Sequence, residues 1–298
     1  MRPLASIVLP LSLTPACALV LDLDAERDDG GGDGGGGGGI ALVGDGGGGR
    51  IGDTVGSTSA ATAVSTSGQP ACDGYATFSG AQLLTVEGGA ALDLENELAI
   101  VARVKSAPDA ANVADYEGFV FSRLSPTVEK GYALVLAEKN DDGFVYPQLR
   151  VYTRDGSCAC ASAAPVVPDT WVNVTAAFEK DKFGDGDDAG LWVDGVPACV
   201  VDCGDDKLER FSASPVVGAA LNRTSGFFRG AISELAVVRW KNGAPNGSGN
   251  CGGGTFFSLS FESVPTQTFM ADCPTSLEVT LGASNAAGAD DPQVILCP

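Results

Sequence analysis

The sequence predicts an all-β protein built as an antiparallel sandwich, and three observations carry that expectation. Residues 171–178 read Trp-Val-Asn-Val-Thr-Ala-Ala-Phe, so Val172, Val174, Ala176 and Phe178 share one face while Asn173 and Thr175 share the other. This is the period-two pattern of a half-buried strand. Residues 191–195, Leu-Trp-Val-Asp-Gly, end a second strand in a tight turn, because Asp and Gly accept backbone angles that branched residues refuse. Similar strand candidates recur with Gly, Pro, Asn and Asp between them, and no stretch of domain length carries a helical repeat. A chain of 298 residues could hold two domains. Its glycine-rich front end belongs to no core, however, and what remains suits a single sandwich.

The front end reads as an address followed by a tether. Arg2 precedes an apolar run over residues 4–13, too short to cross a bilayer but suited to the apolar region of a signal peptide. Leu13-Thr-Pro-Ala-Cys17 resembles a bacterial lipobox, with Thr14 where Leu is usual and Leu13 one place further out. Residues 1–17 are therefore expected to be a signal peptide, with Cys17 as the lipidated first residue of the mature chain and its acyl chains as the anchor. Ordinary cleavage and secretion is the alternative. Residues 18–70 are a Gly/Ser/Thr-rich linker: 30–39 is glycine broken only by Asp33, and Ser, Thr and Ala dominate 57–68. Such a composition buries too little surface to offset its ordering entropy, so a disordered tether is expected. About fifty residues of this kind reach roughly 40 Å. No Lys-Ser/Thr ending or following helix marks the glycine run as a phosphate loop.

The folded part is expected over 71–241, with a cysteine-containing β tail over 242–298 that completes the same sandwich. Tyr75-Ala-Thr-Phe-Ser-Gly80 with 83–86, Leu92-Asp-Leu94 with 98–104 behind it, and 227–238, Phe-Phe-Arg-Gly-Ala-Ile-Ser-Glu-Leu-Ala-Val-Val, resemble in turn the opening strand, the core-crossing segment and the closing strand of one known domain type, with a strand opened by Gly218 before the last. The order of these pieces, centred on W-x-x-V-x-x-x-F, a loop and L-x-V-D-G, resembles the laminin-G-like jelly roll of the concanavalin A-like lectin and glucanase superfamily. The resemblance covers residues 75–240 and implies a two-sheet antiparallel jelly-roll sandwich. In the tail, Phe256-Phe-Ser-Leu-Ser-Phe-Glu262 and Thr280-Leu-Gly282 resemble the lead-in that often precedes such domains.

Nine cysteines include Cys17. Cys72, Cys158, Cys160, Cys199, Cys203, Cys251, Cys273 and Cys297 remain, an even set that reads as disulfides in an oxidising compartment. The resemblance implies that Cys158, Cys160, Cys199 and Cys203 pair among themselves, and that Cys72, Cys251, Cys273 and Cys297 staple the chain ends. Zinc is the rival, but the spacings do not repeat as a ribbon and there is no histidine.

Charge and chemistry narrow the function. The net charge of -20 and the lack of a basic patch exclude nucleic acid as a partner. The absence of histidine removes Ser-His-Asp and Cys-His catalysis. Asp93, Glu95 and Glu97 are spaced two apart, as in the superfamily's Glu-x-Asp-x-Glu glucanases. The first Glu and the Asp are exchanged, however, and the segment aligns better as the turn into 98–104. No enzyme activity and no obligatory cofactor are expected.

The stronger site candidate is the twelve-residue acidic loop 179–190, where a hairpin usually needs about two to five. Asp181, Asp185, Asp187 and Asp188 offer oxygens that calcium prefers. Four aromatics, Tyr116, Tyr146, Phe227 and Phe228, are candidates for a sugar platform. The resemblance implies a non-catalytic extracytoplasmic binding or adhesion module for carbohydrate or a surface protein, by analogy of fold. A structural envelope protein or a weak glycoside hydrolase are the alternatives. The expected location is the outer membrane or cell surface, held through the N-terminal lipid anchor only, with a secreted or periplasmic protein as the alternative.

Overall fold

The computed structural model describes residues 74–298 apart from 126, 139–141, 181–182, 184–187, 205–206, 242–243, 247–253, 262–266, 274–276, 284–287 and 297–298. The expected signal peptide, Cys17 and the linker 18–70 lie outside the described residues.

Among the described residues, seventeen strands form two antiparallel sheets, with two single-turn 3-10 segments. In chain order the strands are β1 (Tyr75–Ser79), β2 (Leu84–Val86), β3 (Glu97–Ser106), β4 (Glu117–Ser122), β5 (Tyr132–Glu138), β6 (Val145–Thr153), β7 (Gly156–Ala161) and β8 (Val172–Glu179). They continue with β9 (Ala189–Val193), β10 (Val196–Val201), β11 (Val216–Val217), β12 (Arg229–Lys241), β13 (Ala244–Asn246), β14 (Thr255–Ser260), β15 (Thr268–Met270), β16 (Glu278–Leu281) and β17 (Gln293–Ile295). Sheet one runs β10-β9-β8-β3-β12-β1-β17, with β13 and β14 also on β12; sheet two runs β15-β16-β2-β11-β4-β5-β6-β7.

Alternation explains the core. Val172, Val174, Ala176 and Phe178 of β8 are buried in register beside Val104, Ala102, Ile100 and Leu98 of β3. Facing them, sheet two contributes Phe121, Tyr132, Leu134, Leu136 and Leu149. Tyr132 is fully enclosed: its ring stacks on Phe121 at 6.0 Å and its hydroxyl donates to the Leu92 carbonyl at 2.9 Å. Burial pushes its phenol well above the usual tyrosine range. Asn173 stands exposed on the opposite face of β8. Thr175 and Ala177, by contrast, are covered, because that half of the outer surface carries a packed layer of its own.

The Val-Asp-Gly turn joins β9 to β10 with φ of 49° at Asp194 and 77° at Gly195, the left-handed pair that a two-residue hairpin requires. Asp194 also binds the neighbouring strand. Its Oδ1 accepts the Asn173 N–H at 2.8 Å, and its own N–H donates to the Asn173 carbonyl at 2.8 Å.

Gly218 ends a strand rather than opening one. It follows β11 at φ +83°, and a Cβ there would lie 2.4 Å from the Phe78 ring, so both backbone angle and space demand glycine. The closing strand likewise begins at Arg229, two residues later than its apolar pattern suggests.

The C-terminal tail adds strands to both sheets. Along one side of β12, β1 pairs with 229–232 and β14 with 234–238. β17 extends the sheet beyond β1, and β16 pairs with β2. Phe257, Leu259 and Phe261 are buried in the main core, so the segment from 255 onward is structural to the sandwich.

Two disulfides, Cys158–Cys203 and Cys160–Cys199, hold the sandwich closed on one side. They join β7, the edge of sheet two, to β10, the edge of sheet one, and to the residues just after it. Cys273 is disulfide-bonded; Cys72, Cys251 and Cys297 lie outside the described residues.

Candidate functional site

The outer face of sheet two carries an open groove of about 940 Å³. Its shape follows from the alternation of three strands. β5 turns Tyr132, Leu134 and Leu136 into the core and small Ala133, Val135 and Ala137 outward. β7 turns Cys158 and Cys160 inward, leaving Ser157 and Ala159 outside. Between them, Arg150 of β6 is in register with Ala133 and Ala159, and Tyr152 is opposite Ser157. Small neighbours leave space above the sheet; Arg150 and Tyr152 rise into it.

Two loops wall the groove and are held rigidly. In 219–226, Ala220 donates to the Ser225 carbonyl at 3.0 Å, Thr224 N–H to Asn222 Oδ1 at 3.0 Å, and Asn222 Nδ2 to Ser225 Oγ at 2.8 Å. Phe119 N–H donates to the Gly226 carbonyl at 3.0 Å. At φ +61°, Gly226 lies so close to Phe119 that a Cβ would stand 2.5 Å from the ring. On the other side, Ser125 and Lys130 exchange backbone hydrogen bonds of 2.9 and 3.2 Å. Arg150 is fixed as well, its Nη2 donating to Glu117 Oε1 at 2.6 Å and to Gln148 Oε1 at 3.1 Å. The groove thus presents aromatic surface from Tyr152 and Phe227, with Phe119 buried beneath, beside pre-oriented amide, hydroxyl and guanidinium groups.

Of the four aromatics singled out from sequence, Phe227 stands half-buried at the groove. Phe228 is core. Tyr116 is 4% exposed, and its hydroxyl accepts the Arg229 N–H at 2.8 Å. Burial raises this phenol well above its ordinary range. Tyr146 is buried too, its hydroxyl bonded to Asp142. Sequence reasoning missed Tyr152, Arg150 and Phe119. The signal was the alternation Tyr146-x-Gln148-x-Arg150-x-Tyr152 opposite Val145, Leu149 and Val151, a strand with a polar and aromatic outer face.

The acidic loop has a structural component that its charge concealed. Phe183 folds back over the outer face of sheet one, 5.6 Å from the Trp192 ring and 5.5 Å from that of Trp240. Asp188 is fully buried; its Oδ2 accepts the Cys203 N–H at 3.0 Å, and its own N–H donates to Val201. That carboxylate therefore binds backbone inside the fold, while Asp181, Asp185 and Asp187 lie outside the described residues. Among the described residues, no three His, Cys, Asp or Glu side chains converge to hold a metal.

Asp93, Glu95 and Glu97 do not share a strand face. Asp93 and Glu95 lie in the link before β3, and both contact Arg210 Nε at 3.4 Å; Asp93 Oδ1 also accepts the Phe211 N–H at 2.8 Å. Glu97 opens β3 and pairs with Arg239 at 2.8 Å. None of the three lines the groove. They fasten neighbouring segments to the sandwich.

Sheet order and antiparallel pairing define a two-sheet jelly-roll sandwich. Neither a protein-family model nor a curated protein matches the sequence. Among solved structures, a putative carbohydrate binding protein from Bacteroides ovatus is similar with a TM-score of 0.52 and 13% identity, over 76% of this chain and 61% of that one. The heptameric SAP-like pentraxin of Limulus polyphemus matches at TM-score 0.40 and 16% identity, over 56% of this chain and 76% of its own. Domains LG4-5 of mouse laminin alpha1 match at 0.41 and 17%, over 59% and 44%. At 13% identity, the property shared with the Bacteroides ovatus protein is the fold.

Proposed function

We propose that the protein is a non-catalytic binding module that takes a carbohydrate in the groove on sheet two. The observation that carries this reading is the pairing of aromatic surface at Tyr152 and Phe227 with fixed polar groups at Arg150, Glu117 and Asn222. Sugar rings offer apolar C–H faces to aromatics and hydroxyls to oriented donors and acceptors. A concave site with a few convergent polar groups is the usual form of a small-ligand site. The Bacteroides ovatus protein of similar fold, described as a putative carbohydrate binding protein, supports the same reading. The two disulfides fit an exported protein. On this reading Cys17 carries the lipid anchor, and the glycine-rich linker holds the domain clear of the membrane.

The test is a screen of the full chain against neutral and acidic glycans, in calcium and in chelator, beside a Tyr152→Ala, Phe227→Ala double variant. Binding that the double variant loses supports the groove. No glycan binding in either condition, or binding that the double variant retains, overturns it. Loss of binding in chelator alone assigns calcium to the site.

A further inference from the structure

Sheet one has a second, smaller concavity of about 310 Å³, lined by Tyr75, Thr77, Lys105, Asp109, Asp169 and Arg229 among others. It occupies the half of that sheet's outer face that Phe183, Trp192 and Trp240 leave uncovered. Lys105 is the lysine in its lining. The ammonium lies 5.8 Å from the Tyr75 ring centroid and 5.6 Å from that of Trp171, and the two rings meet edge to face at 5.6 Å. Arg103 sits over the same Trp171 ring at 5.5 Å, with Glu234 its cross-strand neighbour on β12.

The Lys105 side chain is 26% exposed, and its nearest carboxylate is Asp169 at 4.0 Å, beyond hydrogen-bond distance. Arg229 in the same cleft is already matched by Asp109 at 2.7 Å. Among the described residues, Lys105 thus has an ammonium held in place by two aromatic faces and donating no hydrogen bond. Asp169 is its ion-pair partner, at a separation too long for a hydrogen bond. An ammonium has three donors, and cation–π contact orients it without using them.

We propose that this cleft binds a sugar carrying a single carboxylate, such as a uronate. The carboxylate accepts from Lys105, and the ring packs against Tyr75 in the cleft wall, next to Trp171. A volume of about 310 Å³ is at the small end of ligand sites, the scale of one sugar unit. The identity of the anion's carrier as a sugar rests on the carbohydrate reading of the groove; the preference for an anion rests on Lys105 alone. The strong negative charge of the whole chain disfavours a polyanion and leaves room for one acid group.

The experiment titrates the full chain with methyl glucuronoside, methyl glucoside and acetate, following the Trp171 indole N–H by NMR. The glucuronoside is expected to bind at least about tenfold more tightly than the glucoside, a difference of ~1.4 kcal/mol, and to weaken as salt rises. Lys105→Met, which keeps the side-chain stem, abolishes that preference. Asp169→Asn removes the competing carboxylate and strengthens binding; the position has φ +57°, which Asn tolerates.

Equal binding of acid and neutral sugar, or a preference that survives Lys105→Met, overturns the site. Acetate binding as tightly as the glucuronoside overturns its assignment to a sugar. Tyr152→Ala separates the two readings, since it weakens neutral glycans in the groove and leaves the Trp171 titration unchanged. If no neutral glycan binds and the glucuronoside still titrates Trp171, the groove falls and the cleft stands.

Discussion

Trp192 of β9 and Trp240 of β12 stack with ring centroids 5.0 Å apart on the outer face of sheet one, and Phe183 tilts against both. The three rings, with Ala99, Ala177 and Val238, form a second small core outside the sandwich. The loop between β8 and β9 is long in part because it must carry Phe183 back across two strands.

Phe183→Ala is expected to lower stability by about 3 kcal/mol, at the low end for a buried aromatic because the cluster lies near the surface. Thermal unfolding reads this as a fall in Tm, with an accompanying change in tryptophan fluorescence. An unchanged Tm would mean that the loop only rests on the sheet.

Asp188→Ala leaves the Cys203 N–H without its buried acceptor, a loss expected to cost about 1–3 kcal/mol. The cost is the same in calcium and in chelator. A destabilisation seen only in calcium would instead assign the carboxylate to a cation.

Replacing Cys160 and Cys199 together by Ser opens a closure of 39 residues between the sheet edges. Unfolding in denaturant is expected to show a loss of about 2–5 kcal/mol. The groove side chains stand on the opposite face of β7 from Cys160, so any glycan affinity is retained at temperatures where the variant is folded.

Tyr116 and Tyr132 are expected to titrate late. Burial raises both phenols, so each contributes stability that is fully present below the ordinary tyrosine value of about 10. That contribution is lost as pH rises through the higher folded value. Spectrophotometric titration should show two tyrosines that ionise only with alkaline unfolding. Phe substitution at Tyr132 removes one of them, together with its bond to the Leu92 carbonyl.

Much of the scaffold was legible before any tertiary information. Val172, Val174, Ala176 and Phe178 announced β8, and Asp194 and Gly195 the turn between β9 and β10, because strand alternation and left-handed φ are local requirements that residue type meets or fails. The site was far less legible. Tyr116 and Phe228 were candidates for a sugar platform by residue type alone, yet one hydroxyl is spent on the Arg229 backbone and the other ring is core. Tyr152 gave the same local signal as any strand tyrosine. Its place in the groove comes from Ser157 and Ala159 beside it, and from a loop about seventy residues later in the chain.

By itself, then, the sequence determined that this protein is an all-β sandwich with these principal strands and their tight turns. The resemblance of their order to the laminin-G-like domain added the jelly roll. Tertiary structure alone decided which faces of sheets one and two stay open, that Cys158 pairs with Cys203 and Cys160 with Cys199, and that Asp188 is turned inward. Period-two patterning names two faces of a strand without saying what covers either. Covering is a matter of contacts between residues far apart in the chain, and only the packed sandwich specifies them.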